Sequence, residues 1–230
     1  MQTLQEIRQL LSSYDNTKRN SRWKKYGDAF PESNGLPFDR LKKIAKGIPP
    51  NRALAIKLRQ QKNYDMKVLS FLIDEPKKIL LEETKRTITK ANLWPLHRVY
   101  ISSIFIKLPY AMELAATYRS STNLLERRYG YSYLPHITKT KKVSDAYFVP
   151  IINTIEVKLQ LEDNYVKDAM NNALYAIGKR SDTLREFVLS AARNIGRVIV
   201  DYGTSNAQTL NVMELLEKLT RKQKLTQNIK

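Results

Sequence analysis

One helical phrase occurs twice in the second half of the chain. Asn123-Leu-Leu-Glu-Arg-Arg-Tyr-Gly-Tyr-Ser-Tyr-Leu-Pro-His-Ile aligns with Asn164-Tyr-Val-Lys-Asp-Ala-Met-Asn-Asn-Ala-Leu-Tyr-Ala-Ile-Gly at an offset of 41 residues. Each opens on an Asn where a helix N-cap would stand. Apolar residues follow at helical spacing: Leu125, Tyr129, Tyr133 and Ile137 in the first, Val166, Met170, Leu174 and Ile177 in the second. Asn63 and Asn92 open similar runs. So short a unit cannot bury its apolar stripe alone and must stack on its neighbours, and the stack presents a long surface to a long partner. The echo therefore predicts an all-α solenoid of helix pairs.

A period of roughly 40 residues is that of HEAT-like pairs. The remaining punctuation agrees with helices throughout: Thr3-Leu-Gln-Glu6 is a capping box opening an amphipathic helix from Leu4 to Tyr14. A helix is expected from Asp39 to Lys46, another after Asn51, and a last one from Leu210 to Arg221, with breaks at Asp74-Glu75-Pro76 and Leu108-Pro109. Val198-Ile199-Val200 reads as a short extended connection and 221–230 as a frayed tail. No linker divides residues 1–230, so a single domain is expected.

The 40 Lys and Arg outnumber the 22 Asp and Glu, giving a formal net charge of +18. Such a field favours polyanions, nucleic acid first and an anionic membrane surface second. With 42% hydrophobic residues the chain is no disordered basic tail. Without Cys, and with only His97 and His136, neither a disulfide nor a zinc centre is expected, and seven Gly leave no phosphate-cradling loop. No cofactor is implied. The N-terminus lacks the apolar core of a signal peptide and no run is long enough to span a membrane, so a soluble, cytoplasmic monomer is expected.

The basic residues are unevenly placed. From Thr84 to Met112 there is no carboxylate, while Lys85, Arg86, Lys90, Arg98 and Lys107 all fall inside. This window holds Trp94 at a helix start, which reads either as a core residue or as a contact to a polyanion. The cluster Arg22-Trp23-Lys24-Lys25-Tyr26 has the same two readings. Lys67, Arg127, Arg128, Lys167, Arg193 and Arg197 fall on expected second helices, the ones that line the concave side of a solenoid, where they would make one basic face. Arg128 aligns with Ala169 at the edge of the apolar stripe, where a long cation must either snorkel to solvent or reach a partner.

At these residues the chain resembles a known family. Asn164 to Arg180, with Leu184-Arg-Glu-Phe and Arg197-Val-Ile-Val-Asp-Tyr-Gly203, looks like the C-terminal part of the AlkD-like DNA alkylation repair proteins. Gly35-Leu-Pro-Phe-Asp-Arg-Leu-Lys-Lys-Ile-Ala-Lys46 and Ala53-Leu-Ala-Ile-Lys-Leu58 resemble its N-terminal repeats. The resemblance implies a right-handed stack of HEAT-like pairs holding duplex DNA in a concave groove. Its glycosylase members use an Asp beside the sugar, with Trp side chains and an Arg lining the groove. A carboxylate there stabilises the oxocarbenium character that develops as the glycosidic bond breaks.

Carried over residue by residue, Trp94 matches the Trp preceding the catalytic Asp and Arg128 matches the groove Arg. Arg98 stands about where the Asp should be, and Asn172 replaces the C-terminal groove Trp. The resemblance thus implies a DNA-binding relative that contacts duplex or branched DNA through Lys67, Trp94, Arg98, Arg127, Arg128, Lys167, Arg193 and Arg197, with no catalytic residue. One alternative is an active glycosylase with its carboxylate relocated to Asp145 or Asp168. Another is a scaffold for RNA or an acidic protein.

Overall fold

The computed structural model describes residues 3–14, 33–90, 94–203 and 206–227, without the side chains at 90, 94, 95, 224, 226 and 227. The Arg22–Tyr26 cluster, Asn92 and the Trp94 side chain lie outside the described residues. Helices are the only long regular elements among those described, and no strand occurs. The chain forms two units, Met1–Ala111 and Met112–Lys230.

In the first unit, α1 (Leu4–Ser12), α2 (Phe38–Lys46), α3 (Arg52–Arg59), α4 (Tyr64–Ile73), α5 (Leu81–Lys90) and α6 (Trp94–Ser103) follow one another. The expected caps do their work: Thr3 and Glu6 close a capping box, and Asn51 and Asn63 accept the free N–H groups of Leu54 and Met66. Each such cap is worth about 1 kcal/mol. α4 is the centre of the unit, packing on α2, α3 and α6, and is buried almost throughout. Behind it Arg52 and Arg59 form a four-membered ion cluster with Asp74 and Glu83, in which the Asp74 side chain is fully buried. The cluster ties α3 to the end of α4 and to α5.

The second unit contains α7 (Ala111–Arg119, begun by the last residue of the first), α8 (Leu124–Ile137), α9 (Val149–Lys158), α10 (Asn164–Gly178), α11 (Asp182–Ile195) and α12 (Val212–Gln227). The two copies of the sequence echo are α8 and α10, and they stack side by side. Seven of the eight stripe residues are buried, Leu125 being half-buried. Gly130 lets α7 come close: a Cβ there would lie 2.6 Å from Arg119 N and 2.9 Å from Ala115 O. α9 pairs instead with α11, and α12 closes the unit against α10 and α11.

Several boundaries differ from the sequence reading, among them the starts of α2 at Phe38 and of α12 at Val212. Asp163, not Asn164, caps α10, its carboxylate accepting from Tyr165 N at 2.9 Å. The last helix runs on to Gln227, past Arg221. α1 stops at Ser12, where Ser13 takes the C-cap. Residues 196–203 and 206–211 are extended and irregular, as the Val198–Val200 run suggested.

Candidate functional site

The α8–α10 pair brings a set of polar and aromatic side chains together. Arg128, on the second turn of α8, does not snorkel: it is 2% exposed, among the largest fully buried side chains of the protein. Its guanidinium lies 4.9 Å from the ring centroid of Tyr165 on α10, and Tyr165 is 42% exposed. Burial pulls the Arg128 pKa down to about 10; Tyr129, Asp168, Tyr165 and Asp163 pull the other way and keep it a cation at neutral pH.

Asp168 shares this place. Its Oδ1 accepts from Tyr202 Oη at 2.6 Å and from Asn172 Nδ2 at 3.1 Å. Burial, and then the hydrogen bond to Asp168, push the Tyr202 phenol above its ordinary range, so it stays a donor. Tyr202 reaches α10 because the chain on either side of it, at Asp201 and at Leu210, is tied to that helix. Asn164 Oδ1 accepts from Asp201 N at 2.8 Å, Asn171 Nδ2 donates to Leu210 O at 2.9 Å, and Gly203 turns at φ +60°. A left-handed turn there suits glycine.

Other expected contacts have different surroundings. Arg127 is enclosed by internal partners: Nε and Nη2 donate to the Glu162 carboxylate, Nη1 to the carbonyls of Ser121 and Thr122. Its charge is neutralised by Glu162. Lys167 is half-buried on α10. Arg193 and Arg197 are exposed at and beyond the end of α11, which packs on both α9 and α10.

In the first unit, Lys67 donates to Arg59 O at 3.3 Å, and Arg98 is exposed on the first turns of α6 beside buried His97. Asp145 is engaged by Arg180 Nε at 2.7 Å and by the Ser181 hydroxyl, which hold its carboxyl below the usual range. No group of residues able to hold a metal ion occurs among the described residues. No described helix is long and apolar enough to cross a membrane.

The sequence reading overlooked Tyr165 and Tyr202. Tyr165, Asp168 and Asn172 share one helix face, at i, i+3 and i+7, away from the buried stripe of Val166, Met170 and Leu174; a tyrosine off the stripe was the available signal. Tyr202 had none, since only the folded connection brings it to Asp168.

Residues 7–206 match the model of a family described as DNA alkylation repair enzyme. The chain belongs to that family. It is 27% identical over 194 residues to the uncharacterized protein Lmo0209 of Listeria monocytogenes, covering 83% of this chain and 84% of that one. It is 25% identical over 188 residues to the uncharacterized protein Lin0241 of Listeria innocua, covering 80% and 82%. A solved structure, from a new family of proteins related to the HEAT-like repeat DNA glycosylases with affinity for branched DNA structures, superposes with a TM-score of 0.83. That match is 22% identical and spans 96% of this chain and 95% of the other. The fold is thus the HEAT-like all-α repeat fold.

Proposed function

We propose that this protein binds DNA, chiefly through its phosphate backbone, and does not excise bases. The observation that carries the reading is the Arg128–Tyr165 arrangement. A cation is kept in the interior of α8, against its own desolvation, directly beneath an exposed aromatic ring. An exposed ring over a fixed positive charge suits a nucleotide, which brings a π-face and a phosphate together. The net charge of +18 supplies the long-range attraction. Arg128 itself is covered, so its part is to hold Tyr165 and to project a positive field, while exposed cations such as Arg98, Arg193 and Arg197 are the candidates for direct phosphate contact. The affinity for branched DNA in the structurally similar family makes branched DNA the first ligand to test.

The absence of excision is argued from charge. Arg98, at the position the family resemblance gives to the catalytic Asp, is an exposed cation that would oppose positive charge on a sugar. Asp145 is committed to Arg180 and Ser181. A second reading, excision by a relocated acid, has Asp168 in its favour, because that carboxylate shares the site of Arg128 and Tyr165.

One panel separates the two. Intact, branched and methylated DNA are titrated across a salt series while base release is followed. Neutralising about 4 to 6 phosphates gives a slope of log K against log salt of roughly −3.5 to −5.5. Binding with such a slope and no release supports the proposal; release abolished by Asp168→Asn supports the second reading; no binding at low salt ends both.

A further inference from the structure

The loop between α8 and α9 has a construction that the site above does not explain. It reads Thr138-Lys-Thr-Lys-Lys-Val-Ser144, with three lysines and no acid. Arg180, just past α10, sits at its centre and uses every edge of its guanidinium. Nη1 donates to Thr138 O at 2.8 Å and to Thr140 O at 2.7 Å, Nη2 to Val143 O at 2.7 Å, and Nε to Asp145 at 2.7 Å. The Phe148 ring lies 5.2 Å from the same guanidinium. Three carbonyls are thereby turned inward onto one cation, and Lys139, Lys141 and Lys142 are left exposed. Lys179, next to Arg180, is exposed as well.

Two physical consequences follow from this arrangement. Asp145 is already paired with Arg180, and among the described residues Lys139, Lys141 and Lys142 have no ion pair. The backbone that carries them is ordered before any ligand arrives, which removes part of the entropic cost of binding. Lysines kept only for solubility need neither feature. Arg128 lies nine residues from the end of α8, or about 14 Å along the helix at 1.5 Å per residue. A ligand touching both this loop and the exposed Tyr165 beside Arg128 must be extended, as a nucleic acid backbone is and a mononucleotide is not.

We propose that the Lys139–Lys142 loop is a second, preformed phosphate-backbone contact of the same DNA-binding surface, with Arg180 as its positioning residue. The proposal rests on the DNA-binding reading. Fluorescently labelled duplex and four-way-junction DNA are titrated between 50 and 300 mM salt with the full chain, with K139Q/K141Q/K142Q, and with Arg180→Lys; thermal melts are recorded alongside. The triple variant, which removes only exposed side chains, should melt like the parent. It should also lose about tenfold or more in affinity at 100 mM salt and flatten the slope by about 2 to 3.

Arg180→Lys, which keeps the charge and removes the forked hydrogen bonding, should lose affinity while keeping most of the slope. A triple variant with the parent's affinity and slope would overturn this proposal alone and leave the DNA-binding reading standing. A parent chain that binds no DNA would overturn both. Parent binding to phosphatidylserine vesicles that disappears in the triple variant, without any change in DNA affinity, would assign the loop to a membrane surface and likewise overturn it.

Discussion

Replacing Arg128 by Met tests whether a buried cation is kept for function at the expense of stability. The guanidinium is 2% exposed and its pKa stands at about 10 against an ordinary 12.5. At about 1.4 kcal/mol per pH unit, the protonated side chain is roughly 3 kcal/mol worse off inside α8 than in water, after its anionic and aromatic neighbours have been counted. Methionine keeps the apolar stem of the side chain and removes the charge with its desolvation. Replacing buried ion pairs by apolar residues is neutral or stabilising by about 1–4 kcal/mol when no charge is left buried and unpaired. Asp168, half-buried and hydrogen-bonded to Tyr202 and Asn172, is not stranded by the change. Arg128→Met should therefore raise stability by about 1–3 kcal/mol in urea unfolding, and its affinity for branched DNA should fall. A variant less stable than the parent by more than about 1 kcal/mol would refute the reasoning and make Arg128 a structural tie. A more stable variant with unchanged affinity would remove the Arg128–Tyr165 site from DNA binding.

Other parts of the molecule give equally direct expectations. Asp74→Ala strands Arg52 and Arg59 beside a fully buried vacancy and should cost about 3–5 kcal/mol in urea unfolding, whereas a loss below about 1 kcal/mol would show that Glu83 suffices. Gly130→Ala places a methyl group against the α7 backbone and should destabilise by about 1–3 kcal/mol, read as a lower Tm; an unchanged Tm would mean that α7 yields freely. Stability should also drain in alkali. Burial holds Tyr131 up to about 12 and raises Tyr64, Tyr100 and Tyr202 as well. Their unfolded forms ionise near pH 10, so this contribution is complete below about pH 10 and is lost as pH climbs through the raised values. Arg128, with its lowered pKa, works in the opposite sense above about pH 10, but as one group against several. Equal unfolding free energies at pH 9 and pH 11 would contradict this balance.

Much of the fold was written locally. Asn51, Asn63 and Asn123 announced helix starts because an N-cap needs only a side-chain oxygen two or three residues before the N–H it accepts. The stripes of α8 and α10 were legible because helical periodicity is a property of a dozen consecutive residues, and their offset of 41 marked them as stacking partners. The same logic singled out Arg128 as a cation in an apolar place. Which way it would turn was not local: the choice between solvent and partner depended on Tyr165, 37 residues further on in the sequence, closing over it. Arg127, its neighbour, looked equivalent until Glu162 came within hydrogen-bonding distance. Arg193 lies on α11, which packs on both its first predecessor α10 and its second, α9, and sequence spacing alone does not say which neighbours a helix takes. Tyr202 and Arg180 lay hidden for the same reason. Their partners Asp168 and Asp145 are 34 and 35 residues away, and pairings at that separation arise only when packing brings distant segments together.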